Sequence, residues 1–431
     1  MHHCIKAEFS LNTPLFASGA DRNYPELRVS EIKAALRFWW RAMNYRLYVS
    51  KPELFVDTEA QLFGGASASQ GQGVLVSLVS ADGMSDKIFS GNPYANFASR
   101  PGARYLGYGL MGYTAVLQRA CIKPGGIFEV RLNWRSHETR ARVHGLSALG
   151  DADFQTNLVE ALETFGTFGG LGSRSRRGYG SVTLKALRNA DGTALSDSAV
   201  AKDCAELKKA VTDLLKFQRT ATYTAPEDVS YSAFTCLSRH TIFELSGQAG
   251  SEPYPILNAM GNAFVRYRAW GHEATILKGD TANLYGEPAK QIFKADHDSF
   301  RNRQALPTNF KHPDRIVFGL PHPYSKFGEQ SEVWGGKDTR RASPLFFHVH
   351  KTSTGQYLGL MFDLRSEFLA PRPTGGPGII KDPKWGTDVP LTPDWSMLDE
   401  LHNGEIPAKG STRSTGTAIK LTKNVTLTKI F

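Results

Sequence analysis

The chain has 431 residues, 41% of them hydrophobic and 21% charged, with no dominant repeat, which is room for two cores of about 200 residues each. No apolar run approaches the roughly 18 residues of a membrane span, and Met1 to Phe9 is too short and too polar for a secretory signal. An excess of 51 Lys and Arg over 41 Asp and Glu gives a formal charge of +10, which favours polyanionic partners because phosphate contacts release condensed counterions.

In chain order, Cys4 to Leu11 alternates apolar and polar residues and reads as a strand with one buried face. Asn12 to Glu26 has a loop composition, with Pro14, Gly19, Asp21, Asn23 and Pro25. Ser30 is an N-cap candidate with Glu31 in the first turn, so a helix is expected from there to about Tyr48, ending before Pro52. Strands follow over 74–79 and Ile127 to Leu132, separated by a Gly-, Tyr- and Arg-rich stretch from Gly91 to Gly112 that reads as a long loop.

Phe154, Leu158, Ala161, Leu162 and Phe165 recur at helical spacing, and Ser181 to Leu187 reads as the next strand. Strand, helix, two strands, helix, strand is the ferredoxin-like order of RNA-recognition modules. A polar break at Asp191 to Ser198, a helix over Ala201 to Arg219 and a linker over Thr220 to Ser230 lead to a second half. There a strand near Thr241 to Leu245, a helix from about Pro255 to Trp270, and strands near Ile316, Phe346 to His350 and Tyr357 to Asp363 are expected, with irregular chain over Pro371 to Pro393. The expected architecture is α+β, two ferredoxin-like domains in tandem, at 1–190 and 231–431, joined by 191–230.

Two basic segments carry the functional reading. At about 100° per residue, Ile32, Leu36, Trp39, Met43 and Leu47 share the core face of the first helix, while Lys33, Arg37, Trp40, Arg41 and Asn44 occupy a neighbouring arc. Cations interleaved with an indole suit single-stranded RNA: point charges for phosphates and a flat face for a base. The bland alternative is a solvated basic face with Trp40 packed at its edge. The second segment is the loop from Gly169 to Gly180. Its glycines, Gly170 and Gly172 among them, let backbone amides approach phosphates, Arg174, Arg176 and Arg177 supply bidentate charge, and Tyr179 adds an aromatic face. No Gly-Lys-Ser/Thr follows, and the loop leads into a strand, so it is not a nucleotide-triphosphate loop.

Several stretches together resemble the RAMP superfamily of CRISPR-associated proteins, and within it the first-numbered subunits of type III-B, or Cmr, effector complexes. They are Thr13-Pro14-Leu15-Phe16 through Asp21, Leu27-Arg28-Val29-Ser30 through Leu36-Arg37-Phe38-Trp39-Trp40-Arg41-Ala42, Glu59 to Gly64, the arginine-glycine loop, and Arg340-Arg341-Ala342-Ser343-Pro344-Leu345. The resemblance implies two ferredoxin-like domains and a cytoplasmic, non-catalytic subunit. Such a subunit contacts guide RNA near its 3′ end and helps capture complementary target RNA in antiviral defence, beside the other subunits of the complex. It also implies RNA contact at Arg28, Ser30, Lys33, Arg37, Trp40 and Arg41, at Arg174, Arg176 and Arg177, and at Arg340 and Arg341. The second half has no equally arginine-rich loop; Trp334-Gly335-Gly336-Lys337 comes nearest.

A ribonuclease is the competing class, since some relatives of this superfamily cut RNA with a histidine or an aspartate. His348 and His350 lie one strand period apart, Asp296-His297-Asp298 could sit in a solvated turn or hold a metal, and Asp21 reads as an Asx turn. No Ser-His-Asp or metal-ligand spacing stands out. The cysteines, Cys4, Cys121, Cys204 and Cys236, form no Cys-x-x-Cys pair, which fits reduced thiols rather than a disulfide framework or structural zinc. No catalytic residue, cofactor or metal is therefore expected. A protein-only scaffold, its cations meeting acidic neighbours, is a third reading.

Overall fold

A computed structural model describes residues 2–21, 23–44, 47–48, 51–65, 73–89, 100–110, 116–145, 148–195, 200–220, 243–246, 250–268, 283–284, 287–288, 314–320, 322–326, 329–333, 340–369, 379–381, 388–390, 393–403, 405–406, 419–420 and 427–429. The expected linker and the Asp296–Asp298 and Trp334–Lys337 motifs lie outside these residues, apart from Thr220 at the end of a helix.

The first sheet is built on β1 (His2–Leu11), whose inward residues Ile5, Ala7, Phe9 and Leu11 are fully buried, as the alternation dictates. With β2 (Leu75–Asp82), β3 (Ile127–Arg135) and β4 (Val182–Asn189) it forms an antiparallel sheet of spatial order β2-β3-β1-β4. Helices α1 (Val29–Met43) and α4 (Asp151–Phe168) pack side by side and bury Ile32, Leu36, Trp39, Phe154, Leu158 and Phe165 in the same core. The first helix starts earlier than expected: Arg28, extended at φ −112° and ψ 135°, is its N-cap, and its carbonyl accepts the N–H groups of Glu31 and Ile32. Ser30 therefore lies inside the first turn and caps nothing.

Two helices escaped the sequence pattern, one because it opens on the proline read there as ending the first helix, the other because its Gly, Tyr and Arg content read as loop. They are α2 (Pro52–Phe63) and α3 (Pro101–Leu106), the latter within the stretch expected to be loop. A short helix at His137–His144 also went unpredicted. Helix α5 (Cys204–Thr220) follows the first sheet, close to expectation.

The second sheet comprises β5 (Phe243–Ser246), β6 (Leu345–Lys351), β7 (Tyr357–Asp363) and β8 (Leu427–Lys429), antiparallel, in the order β6-β7-β5-β8. Numbered along the chain, both sheets run 2-3-1-4. Helices α6 (Pro253–Arg268) and α7 (Ser396–Asn403) lie between β5 and β6 and between β7 and β8 in sequence. The apolar run around Ile316 is a buried 3-10 turn, Asp314–Phe318, rather than a strand, a choice that periodicity cannot make for so short a segment. Among the described residues no helix is long and apolar enough to cross a membrane.

The halves are joined edge to edge. Strand β6 is an edge of its sheet, and its outward N–H groups need acceptors. Phe347 N–H bonds to the carbonyl of Arg176 (3.0 Å), Val349 N–H to Ser181 Oγ (3.2 Å) and Lys351 N–H to Thr183 Oγ1 (3.0 Å). Asn12 Nδ2 donates to both Val349 O and Thr183 Oγ1, each at 2.8 Å. A second joint is the crossing of α3 and α6, where a Cβ on Gly261 would stand 2.2 Å from Gly102 O. There Asn258 Oδ1 accepts the Gly102 N–H (2.9 Å) at the start of α3, which has no side-chain cap of its own.

Thr183→Val keeps the shape of residue 183 but leaves Lys351 N–H and Asn12 Nδ2 without their acceptor, at roughly 1–3 kcal/mol for each orphaned donor. Chemical denaturation is expected to show that loss of stability. Gly261→Ala is expected to cost about 1–3 kcal/mol by forcing α3 off α6, read as a lower melting temperature.

Candidate nucleic-acid interface

The basic arc of α1 is tied to neighbouring elements. Arg37 and Arg41 both pair with Glu59 of α2, Arg41 at 2.5 Å, and the Glu59 side chain is only 6% exposed. Lys33 Nζ donates to Val74 O at 2.9 Å, and burial, then the charge of Arg37, holds its pKa below the usual lysine value. Trp40 is fully buried; its ring stacks on Phe55 of α2 at 5.1 Å and its indole N–H donates to Asn157 Oδ1 at 2.7 Å. The expectation of Trp40 as a base-stacking face is thus corrected, because α2, unseen in the sequence, covers that side of the helix. Asn44 is turned inward, its Nδ2 donating to Trp40 O (2.8 Å) at the helix end. Arg28 and Ser30 remain exposed, with Arg28 Nε 4.0 Å from Glu26.

The arginine-glycine loop is held rather than free. Gly172, at φ +76°, donates its N–H to Glu31 Oε1 at 2.6 Å, and a Cβ there would meet Phe16 O at 2.7 Å, so only glycine fits. Gly170 pairs with Ser181 at the entry to β4. Arg174 alone among the described non-glycine residues has a positive φ, +68°, and its guanidinium clamps Tyr108 O through Nε (3.0 Å) and Nη2 (2.6 Å). Tyr179, expected to offer a ring to a base, is fully buried, with its hydroxyl donating to Ala103 O of α3 at 2.6 Å. The close packing of α3 against the loop, invisible to local pattern, takes it out of solvent.

What the fold brings together is the loop and the second half. Arg176 donates to Ser343 O (3.1 Å) and lies over the ring of Phe346 at 4.8 Å. Arg177 lies over Phe264 at 4.8 Å, and its Nη1 is buried with no hydrogen-bond partner. Arg341 donates to Ser366 Oγ, and its Nε is likewise buried and unpartnered. Among the described residues no carboxylate pairs with Arg174, Arg176, Arg177 or Arg341. Burial, then the charge of Arg341, pushes Arg176 down to about 10; burial, then Arg268, pushes Arg177 down to about 9. At neutral pH these groups stay charged, so the seam concentrates cations that lack counter-charges, a setting in which an anion gains most. Arg340 is exposed beside them. Arg268 of α6, whose Nη1 donates to Tyr105 Oη at 2.5 Å, was missed in the sequence because it closes an ordinary amphipathic helix. The helix arc does not join this cluster: Arg37 and Arg41 pair with Glu59 of α2, while on α1 the loop touches Glu31, about 120° round the axis from Arg37 and about 80° from Arg41.

The histidines of β6 are also sealed in. His348 Nδ1 lies 3.0 Å from Gly169 O and His350 Nδ1 3.5 Å from Thr183 Oγ1. Burial, then His350, drives His348 well below the ordinary histidine value, and burial takes His350 down to about 4, so both are neutral at pH 7. Asp21 Oδ1 accepts the Asn23 N–H at 2.8 Å, an Asx turn. Among the described residues no group of His, Cys, Asp and Glu could hold a metal ion.

Comparison with known proteins agrees with this architecture. Residues 8–183 match the model of the RAMP superfamily. A curated relative, the CRISPR system Cmr subunit Cmr1-2 of Pyrococcus furiosus, is 24% identical over 178 residues, 41% of this chain and 92% of the relative. The crystal structure of Cmr1 from Pyrococcus furiosus in its apo form superposes with a TM-score of 0.51 at 18% identity, over 99% of this chain and 98% of that one, and so shares its fold. A chain in a cryo-EM structure of the type III-B Cmr-beta complex bound to cognate target RNA gives a TM-score of 0.48 at 12% identity, over 86% and 96%. The chain is thus similar to the RAMP superfamily over residues 8–183, and it shares the fold of the Pyrococcus furiosus Cmr1 structure.

Proposed function

We propose that the chain is a non-catalytic RNA-binding subunit of a type III-B CRISPR effector complex, built from two ferredoxin-like domains that divide near residue 190. In this reading it contacts guide RNA near its 3′ end, helps to capture complementary target RNA, and docks on other subunits of the complex. The 2-3-1-4 order of both sheets, with helices in the first and last connections, supports the domain assignment. The single observation that carries the RNA reading is the seam cluster: Arg174, Arg176, Arg177 and Arg341, from both halves, with no carboxylate among the described residues to neutralise them. A ribose-phosphate strand crossing the seam supplies the missing charge. The buried, neutral histidines of β6, which substrate does not reach, and the Asx turn that engages one oxygen of Asp21 support a non-catalytic role.

RNA affinity should fall steeply with salt, with a slope of about −0.7 per phosphate contacted on a single strand; flat, weak binding would instead favour a protein-only scaffold. Arg177→Met is expected to weaken RNA binding about tenfold while raising the melting temperature, because it removes an uncompensated buried cation but keeps the stem over Phe264. A lower melting temperature with unchanged affinity would assign Arg177 a structural role. Arg37→Ala with Arg41→Ala should do the reverse, destabilising by roughly 1–3 kcal/mol by stranding the buried Glu59 carboxylate, with RNA affinity little changed. End-labelled RNA incubated with the purified chain should stay intact; cleavage abolished by Asp21→Ala would overturn the non-catalytic assignment.

A further inference from the structure

Between α1, the arginine-glycine loop and β6 lies a cleft of about 260 Å³. Its walls are aromatic, with Phe38, Trp39, Phe168 and Phe346 around it, and its polar lining includes Glu31, Ser175 and Arg176. One carboxylate oxygen of Glu31 is engaged by the Gly172 N–H at 2.6 Å; the other, Oε2, is buried with no hydrogen-bond partner among the described residues. A buried acceptor left without a donor is costly and rare. Burial raises the Glu31 carboxyl above its ordinary value more than the Gly172 N–H and the charge of Arg28 lower it, so donors placed in the cleft would relieve a real penalty. The same cleft includes Arg176, a member of the seam cluster, so a phosphate bound there leaves its own nucleotide within reach of the cavity.

We propose that this cleft receives one extruded base of single-stranded RNA and selects guanine, with Glu31 reading its Watson–Crick edge while the base lies against the aromatic wall of Phe38, Trp39, Phe168 and Phe346. The inference rests on the RNA-binding reading above and adds a base-specific site to it. The size is right: the volume equals about nine waters of bulk liquid, enough for a bicyclic ring and too little for a stack. The chemistry selects among the bases. An ionised carboxylate only accepts hydrogen bonds. Guanine alone presents two adjacent donors, N1–H and the N2 amino group, on that edge. Adenine and cytosine set one amino donor beside a ring nitrogen lone pair, which a carboxylate repels, and uracil flanks its single N–H with two carbonyls. Single-stranded RNA is commonly read in this way, with splayed bases held by aromatic rings and hydrogen-bonded on their edges. Arg176, at 4.8 Å over Phe346 and 5.6 Å over Phe38, supplies positive charge at the rim of the same aromatic wall.

The test uses the full chain and fluorescein-labelled 12-residue oligouridylates carrying one central guanosine, adenosine or cytidine, or none, with affinity read by anisotropy. The guanosine oligomer is expected to bind about tenfold tighter than the others, within the range for one bidentate base contact. Glu31→Gln preserves a carbonyl for the Gly172 N–H, and Ala35→Leu fills the cleft from α1. Both should abolish the guanosine advantage while leaving oligouridylate affinity and the melting temperature near those of the unaltered chain. Equal binding of all the oligomers, or a guanosine preference that survives both substitutions, would overturn the base pocket and leave the RNA-binding reading standing. If no oligomer binds, the RNA-binding reading falls and the pocket falls with it.

Discussion

The structure depends on how the open edge of β6 is satisfied. An edge strand presents a row of unpaired N–H groups at every second residue, and leaving them bare would invite wrong partners or cost free energy. Here Phe347, Val349 and Lys351 find a loop carbonyl and two hydroxyls of the first half. The acceptors are mostly side chains, so the two sheets meet without merging into one continuous ladder. Both cores draw on residues from both halves: Phe346, Leu358 and Phe362 pack with the first sheet, while Phe16, Leu106 and Tyr179 pack with the second.

That joint explains why the arginine-glycine loop is positioned rather than mobile. The Arg176 carbonyl is itself one of the acceptors, so the loop cannot leave without exposing β6. Glycines at 172 and 180 permit the close path; a Cβ on Gly180 would lie 2.0 Å from Leu171 O. Holding the backbone in the seam forces the guanidinium groups into a partly buried, mutually repelling cluster. Stability alone would not select such an arrangement, since removing buried, unpaired charge is often favourable. It becomes reasonable if an anion completes it.

The two basic segments turn out to do different work. On α1, Arg37 and Arg41 both pair with Glu59, and these contacts tie α2 to α1. In the seam, charge is left unbalanced and aromatic rings stand beside it, as in sites that handle single-stranded nucleic acid. The face of α1 that turns toward the loop is not its basic arc but the stripe Glu31, Ala35 and Phe38.

Much of this was legible in the sequence. Strand alternation from Ile5 to Leu11, the apolar stripe of Phe154 to Phe165, the element order of the first half and the charge of the loop are local properties, fixed by a period of about two or 3.6 residues and by side-chain chemistry. The motifs that resemble the RAMP superfamily were legible for the same reason. Helices α2 and α3 were not: Pro52, at the first helical position of α2, reads as a stop, and the Gly, Tyr and Arg around α3 read as loop. Nor could sequence show that Trp40 and Tyr179 are buried, that Glu59 lies 22 residues from its partner Arg37 yet beside it in space, or that Arg341 joins Arg176. Those facts depend on which surfaces meet across long separations in the chain. Periodicity states that a face is apolar or charged; only tertiary packing decides what that face is pressed against, and so whether its charge is spent within the fold or left for a ligand.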